Sequence, residues 1–276
     1  MTVFINITAE QAEKLLQAGF VKEEPKTVFE VLRLKKEQTT AILYYSGKLL
    51  LQGKNVDKIA VQLRKLKIGA EQVPEPFQQE TGWVIGSDES LKGDTFGGIV
   101  VAAVKANSIS RKTLSELGVA DSKVLSDKEV LQMSGQIKKI VSCEIKSLLP
   151  EEYNQRDSNV TELLNKLHRQ AANDLQPGKH IVDKYPGCTI GDIAVEKAES
   201  KYVEVAAASV LARAAALQQL EYLSLLAGFT IPKGSTHVLL ALNELQQRKL
   251  DFKKFVKIDF CNVRKFLGQQ MPKVAD

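Results

Sequence analysis

The order of strand and helix patterns in the C-terminal part of the chain constrains its fold more than any other feature. Two apolar strands joined by the tight turn Glu89–Asp94 come first, and strands then alternate with helices. The predicted elements are strands at Trp83–Asp88, Phe96–Ala106, Val141–Leu149 and His180–Asp183 and helices at Val160–Leu175 and Val203–Leu226. Antiparallel strands followed by alternating strands and helices predict a mixed α/β sheet flanked by helices. The alanine-rich part of the last helix, Ala206–Ala216, is typical of a helix that packs closely on a sheet.

A polar, proline-containing stretch divides the chain in two. Residues 69–81, GAEQVPEPFQQET, carry little to bury and predict a linker. They leave an N-terminal domain of residues 1–68 and a C-terminal domain of residues 82–276, both of ordinary domain size. The N-terminal domain has the pattern of a small α+β fold, with no His, no Cys and no carboxylate cluster. We therefore expect it to be a binding domain.

The composition excludes several classes of protein. Of the 276 residues, 44% are hydrophobic and 26% are charged, as in an ordinary globular protein rather than a disordered one. No apolar run approaches the roughly 18 residues of a membrane span, and the N-terminus lacks the pattern of a signal peptide. Three widely spaced cysteines make neither a disulfide framework nor a zinc pattern. We expect a cytoplasmic protein with no membrane partner. The net charge of +5 favours nucleic-acid binding only weakly.

Carboxylates stand at the ends of two apolar strands. Asp88 and Glu89 end the segment WVIGSDE, and Asp183 ends HIVD. Neighbouring side chains on a regular strand point to opposite faces, so Asp88 and Glu89 reach one site only if the backbone bends there. Residues 90–93 would allow that bend. Glu199, just before the alanine-rich helix, is a fourth candidate.

Four carboxylates without His or Cys make an anionic, all-oxygen site. Such a site suits hard cations such as Mg²⁺ or Mn²⁺, and two such ions stabilise the attacking and leaving oxygens of phosphoryl transfer. The alternative is that these acids are solvated strand ends.

Four segments, in order along the chain, resemble the type 2 ribonuclease H family. They are GSDESLKGDTFGGIVVAAV from Gly86, VADSKVLSD from Val119, HIVDKYPG from His180 and KAESKYVEVAAASVLAR from Lys197. The resemblance implies a ribonuclease-H-like sheet and an endoribonuclease that hydrolyses the RNA strand of RNA/DNA hybrids, leaving 5′-phosphate and 3′-hydroxyl ends. It also implies two bound divalent ions, Mg²⁺ or Mn²⁺. The implied catalytic and metal-binding residues are Asp88, Glu89, Asp183 and Glu199.

Within that family the chain resembles ribonuclease HIII more than ribonuclease HII. The extra N-terminal domain is similar to the TATA-binding-protein-like substrate-binding domain of ribonuclease HIII. Lys92 stands where ribonuclease HII has Arg, and Glu199 stands where it has Asp. The resemblance implies an RNA/DNA hybrid as the partner, gripped by the N-terminal domain, and no obligate protein partner. We take a monomer as the default.

The same resemblance implies a set of substrate-binding residues. They are Ser90, Leu91, Lys92, Gly93, Ser122, Lys123 and Ser209. A backbone group near Leu91–Gly93 is well placed to recognise the 2′-hydroxyl that distinguishes RNA from DNA. Lys92 and Lys123 could each hold a phosphate, although each could equally be an exposed surface lysine.

Leu91 departs from the family pattern, which is Gly-Lys-Gly around Lys92. Leucine disfavours a positive φ, so either the local backbone suits leucine or the ribose contact is altered. Gly97-Gly98 also departs, because the family often has Gly-Pro there.

Two rival functions remain open on the sequence. One is a ribonuclease HII-like cleavage at single embedded ribonucleotides. The other is a non-catalytic hybrid-binding protein, which Leu91 favours and the four acids oppose. The basic surplus of residues 248–265 fits a phosphate-tracking surface and a solvated helix face equally well. His168 is expected to be a packing or hydrogen-bonding histidine.

Overall fold

The computed structural model of the chain describes residues 2–65, 70–71, 77–119 and 125–268. The chain forms two compact units, Met1–Glu75 and Pro76–Asp276. Within the described residues, no helix is both long enough and apolar enough to cross a membrane.

In the part that the structure describes, the N-terminal unit is an antiparallel sheet with strand order β2-β3-β4-β5-β1-β6 and two helices. Its elements are β1 Thr2–Ile5, α1 Ala9–Gln17, β2 Val21–Glu23, β3 Glu30–Lys36, β4 Thr39–Tyr44, β5 Leu49–Gly53, α2 Val56–Lys65 and β6 Ala70–Glu71. Helix α1 begins at Thr8, whose side chain and that of Gln11 cap each other's backbone. Leu15 of α1 and Leu63 of α2 are buried in one core with Leu34 and Leu49 of the sheet. Both helices therefore pack on the sheet. The short strands β2 and β6 were not predicted.

The described residues of the C-terminal unit form a mixed sheet with strand order β11-β10-β7-β8-β9. Its elements are β7 Val84–Ser90, β8 Ile99–Ala106, α3 Ser108–Glu116, α4 Asp127–Ile140, β9 Ser142–Leu148, α5 Pro150–Asn154, α6 Val160–Asn173, β10 Lys179–Asp183, β11 Ile193–Val195, α7 Val203–Ala227, α8 Leu239–Gln247 and α9 Cys261–Gly268. Strand β7 pairs antiparallel with β8 and parallel with β10. The predicted mixed sheet is confirmed. Helices α3 and α5 and strand β11 were not predicted.

Helices cover both faces of this sheet. Alternate residues of β8, such as Val100 and Ala102, belong to the core that contains α7, whereas Ile99 and Val101 belong to the core that contains α6. A strand buried on both faces has apolar residues at every position. This explains why β8 has a continuous apolar sequence rather than an alternating one.

Helix α7 lies directly against the backbone of β7. Small residues are frequent on its buried side, and the buried alanines are Ala206, Ala207, Ala208, Ala212, Ala214, Ala216 and Ala227. A Cβ placed on Gly86 of β7 would lie 2.4 Å from the backbone nitrogen of Val205. Such a separation is impossible for real atoms, so only glycine fits. This contact fixes β7 against the helix beside it.

Replacing Gly86 by alanine should destabilise the C-terminal unit by about 3 kcal/mol, because the new methyl group meets helix backbone that cannot move aside. Gly135 of α4 is the matched control, since nothing lies within 4 Å of its Cβ position. Gly135→Ala should be neutral or stabilising by up to about 1 kcal/mol. Urea unfolding measures both changes. Equal effects of the two substitutions would contradict the close contact.

Candidate active site

Asp88 and Asp183 lie side by side at the ends of neighbouring parallel strands. Ser87 of β7 is paired in register with Val182 of β10, so the next residues on the two strands are the two acids. Residues in register on parallel strands point to the same face. For Asp88 this is the face of α7, because the Ser209 hydroxyl on that helix hydrogen-bonds to its carboxylate.

The surroundings of Asp88 disfavour its negative charge. Burial, followed by the carboxylates of Glu89 and Asp183, raises the pKa of Asp88 from 3.8 to about 7. The hydrogen bond from Ser209 and one of 2.8 Å from the backbone N–H of Glu89 oppose this rise but do not cancel it. The site therefore carries more negative charge than its own donors compensate.

Glu89 points to the other face of the sheet, and the bend that would bring both acids to one site is absent. Strand β7 continues in regular pairing with β8 as far as Ser90, so neighbouring side chains alternate. The Glu89 carboxylate lies 3.3 Å from His168 Nε2 of α6 and 3.2 Å from Lys92 Nζ. Burial alone would raise the pKa of Glu89, but His168 and then Lys92 outweigh it, and the net pKa lies below its ordinary value.

A buried hydrogen-bond network holds His168, the residue that contacts Glu89. The Ser87 hydroxyl lies 2.8 Å from His168 Nδ1 and 2.8 Å from His180 Nε2. Burial, together with the nearby His168, lowers the pKa of His180 to about 4, so this ring is neutral near neutral pH. The expectation that His168 is a hydrogen-bonding histidine is confirmed. Sequence reasoning missed Ser87, although its spacing of two residues from Glu89 places both on one face of β7.

The turn that contains Glu199 is hydrogen-bonded to the end of β10. It lies in the 3-10 turn Ala198–Ser200, and the backbone N–H of Ala198 donates to Asp183 Oδ1 at 2.7 Å. This bond fixes the turn that carries Glu199 to the carboxylate at the end of the strand. Three of the four predicted acids thus belong to one connected edge, whereas the side chain of Glu89 lies on the opposite face of the sheet.

The turn after β7 holds Leu91 in a left-handed backbone conformation. Leu91 has φ +66°, in the left-handed region that favours glycine, so the local backbone is not one that suits leucine. Its side chain is only 5% exposed and lies in the core, with Cδ1 2.9 Å from the Cβ position of Gly97. The leucine side chain is therefore directed inward.

The remaining predicted substrate residues fall into three groups. Lys92 also lies over the Tyr185 ring, at 4.6 Å from its centre, and Gly93 is exposed with nothing within 4 Å of its Cβ position. Ser90 ends β7 and lines a cleft with Leu91 and Arg213. Ser122 and Lys123 lie outside the described residues.

Comparison with known proteins identifies the family of the chain. The ribonuclease HII family model matches residues 85–263. Ribonuclease HIII of Bacillus licheniformis is 31% identical over 273 residues, covering 85% of this chain and 87% of that protein. The chain belongs to the ribonuclease HIII family.

Solved ribonuclease HIII structures extend this similarity to both units. The crystal structure of Bst-RNase HIII in complex with Mn²⁺ superposes with a TM-score of 0.62 at 26% identity, covering 97% of this chain and 98% of that one. The Aquifex aeolicus RNase H3 structure has a TM-score of 0.57 at 27% identity, covering 93% and 99%.

The acids of this ribonuclease HIII fit a hard divalent cation by their chemistry. Their donors are all carboxylate oxygens, and the raised pKa of Asp88 marks excess negative charge that a cation would balance. Among the described residues, no three His, Cys, Asp or Glu side chains already form a metal-binding group.

Asp88→Asn should stabilise the metal-free protein at about pH 8. The folded-state pKa of about 7 exceeds the ordinary 3.8, so the ionised carboxylate costs stability that grows as the pH rises between these values. The shift corresponds to about 4 kcal/mol, and because the asparagine amide is also buried we expect a gain of about 2 kcal/mol. Below about pH 4 the difference in unfolding free energy between Asp88→Asn and the unaltered chain should vanish. Urea unfolding in EDTA measures it.

The control for this prediction is Asp157→Asn, at an exposed position. Mn²⁺ should raise the Tm of the unaltered chain and of the control, and raise that of Asp88→Asn much less. A variant that is less stable than the unaltered chain at every pH in EDTA would show that Asp88 carries no excess charge.

Proposed function

We propose that this ribonuclease HIII cuts the RNA strand of RNA/DNA hybrids where β7 and β10 end, with Asp88, Asp183, Glu199 and Glu89 as the catalytic and metal-binding residues. Family membership makes it a metal-dependent endoribonuclease. The residue assignment is carried by one observation, the in-register placement of Asp88 beside Asp183. When bound, two Mg²⁺ or Mn²⁺ ions supply an activated water and charge neutralisation at the departing 3′-oxygen. The products would carry 5′-phosphate and 3′-hydroxyl ends.

The protein's own side chains prepare this edge. Ser209 orients the Asp88 carboxylate, while His168 and Lys92 hold Glu89 in its ionised form. Ala198 holds Asp183 by a backbone hydrogen bond. Carboxylates that are already oriented bind a cation with little further loss of side-chain freedom.

The turn of residues 90–93 would receive the ribose next to the cut. Gly93 leaves an open approach to the backbone, whose amides and carbonyls can recognise a 2′-hydroxyl. Lys92 can leave Glu89 for a substrate phosphate, since its side chain is partly exposed. Ser122 and Lys123 stay predicted phosphate contacts.

Asp88→Asn and Asp183→Asn should each lower kcat on an RNA/DNA hybrid by about a thousandfold. This loss corresponds to the several kcal/mol of transition-state stabilisation that a bound metal ion supplies. Hybrid binding should survive, because neither carboxylate attracts nucleic acid. The measurement is cleavage of a labelled hybrid with EDTA, Mg²⁺ or Mn²⁺, with Asp157→Asn as the matched control.

Full activity in either variant would refute the assigned site. A duplex with a single ribonucleotide, run beside the all-RNA strand, tests the ribonuclease HII-like alternative. Tight hybrid binding by the unaltered chain without cleavage under either metal would instead favour the non-catalytic alternative.

The N-terminal unit would grip the hybrid. Two of its aromatic rings are largely exposed, Phe29 at 70% and Tyr45 at 76%, and the Tyr45 N–H donates to the Phe29 carbonyl. Exposed rings among lysines such as Lys26 and Lys48 are typical of nucleic-acid-binding surfaces. The cytoplasmic location and the monomeric state remain predictions.

Removing residues 1–75 should raise the hybrid Kd by about tenfold or more while changing kcat at saturation much less, since the acids all lie in the other unit. Each unit has its own hydrophobic core, so the remainder is expected to fold. Filter binding and single-turnover cleavage separate the two quantities. The full-length Phe29→Ser/Tyr45→Ser variant is a milder control and should shift Kd in the same direction. An unchanged Kd in both would exclude this role.

A further inference from the structure

A lysine buried in the core of the C-terminal unit contacts the turn that follows β7. Lys257 is 0% exposed, and its Nζ donates to the Leu91 carbonyl at 2.8 Å and to the Asp94 carbonyl at 2.6 Å. The N–H of Asp94 also donates to the Leu91 carbonyl, at 3.1 Å, which closes the turn. Lys257 therefore holds both ends of the segment that presents Lys92 and Gly93.

The position of this ammonium group is costly for the fold. Burial lowers the pKa of Lys257 to about 7, although the carboxylates of Asp94 and Asp259 act in the opposite direction. Its Nζ lies 5.4 Å from the ring centre of Tyr153 and 5.0 Å from that of Phe260. The Lys257 ammonium group donates to main-chain carbonyls, so it holds the backbone of the turn in place rather than balancing a negative charge.

The backbone of Leu91 keeps its conformation only if its surroundings constrain it. Leu91 has φ +66°, a conformation that leucine abandons unless its surroundings impose it. Its buried side chain holds it from one side and Lys257 holds its carbonyl from the other. If Leu91 relaxed to a negative φ, the following residues Lys92 and Gly93 would swing away from their present positions.

We propose that Lys257 is a positioning residue, which holds the 91–94 turn from inside the core in the geometry that receives the substrate ribose. The inference rests on the proposed function of that turn. It explains how leucine can replace the family's glycine at position 91: the left-handed backbone that glycine adopts freely is imposed on leucine by a buried hydrogen-bond donor.

The test is Lys257→Met, which keeps the length of the side chain and removes the ammonium. We expect kcat/KM on an RNA/DNA hybrid to fall about tenfold, mainly through KM, because the turn contacts substrate rather than the reacting atoms. Lys139→Met is the control, since Lys139 of α4 is exposed and lies outside the basic segment 248–265, and it should change KM less than about twofold. Thermal unfolding of each variant reports the folded state.

A rescue separates positioning from core stability. Adding Leu91→Gly to Lys257→Met should recover kcat/KM by about threefold, because glycine adopts the left-handed conformation without help. A purely structural role predicts the opposite, since Leu91→Gly also removes a buried side chain. Lys257→Gln, which retains a shorter donor, should give a smaller rise in KM than Lys257→Met.

Three outcomes would overturn the inference: an unchanged KM in Lys257→Met, a further loss in the double variant, or unfolding of both the Met and the Gln variants. All comparisons are made against the unaltered chain. If that chain fails to cut the hybrid, the proposed function fails, which is a separate result from any change caused by Lys257.

Discussion

The direct contact between Gly86 of β7 and the backbone of α7 is the constraint on which the site depends. It leaves no space between strand and helix, so the strand beyond it follows a fixed path to its end. With β7 held in regular pairing, Asp88 must face α7 and Ser209, and Glu89 must face α6 and His168. Small residues along α7 are therefore part of the site's construction, since a wider helix–sheet spacing would move Ser209 away from Asp88.

Two adjacent acids with opposite environments follow from that regular strand. Burial and neighbouring carboxylates raise the pKa of Asp88, whereas His168 and Lys92 lower that of Glu89. One carboxylate is therefore kept ionised by protein groups, and the other needs an outside cation to be ionised fully near neutral pH. The arrangement makes cation binding favourable at one position while keeping the second ligand ready. The buried network of Ser87 and two histidines gives Glu89 its rigid support.

The sequence predicted the mixed sheet and the strand-end position of the acids, because both follow from local patterns of apolar and charged residues. It did not predict the regular path of β7, since pairing with β8 outweighs the turn-forming residues that follow. Lys257 could not have been found either. Its segment has no helical period from which a buried face can be inferred, and its neighbours Lys253 and Lys254 are exposed. Its partners lie far away in sequence, at residues 91 and 94.

The turn that would face the substrate is thus governed by residues that never reach the surface. Leucine at position 91 requires space, which Gly97 supplies, and an imposed backbone, which Lys257 supplies. A surface loop with glycine at that position would be free to sample several conformations, and substrate would have to order it on binding. In this protein the turn is ordered when the chain folds, because the buried ammonium group of Lys257 holds it. Burying that group is itself unfavourable. Recognition of the ribose then depends on how the core is packed. The effects of substitutions at Leu91, Gly97 and Lys257 are therefore expected to be coupled rather than independent.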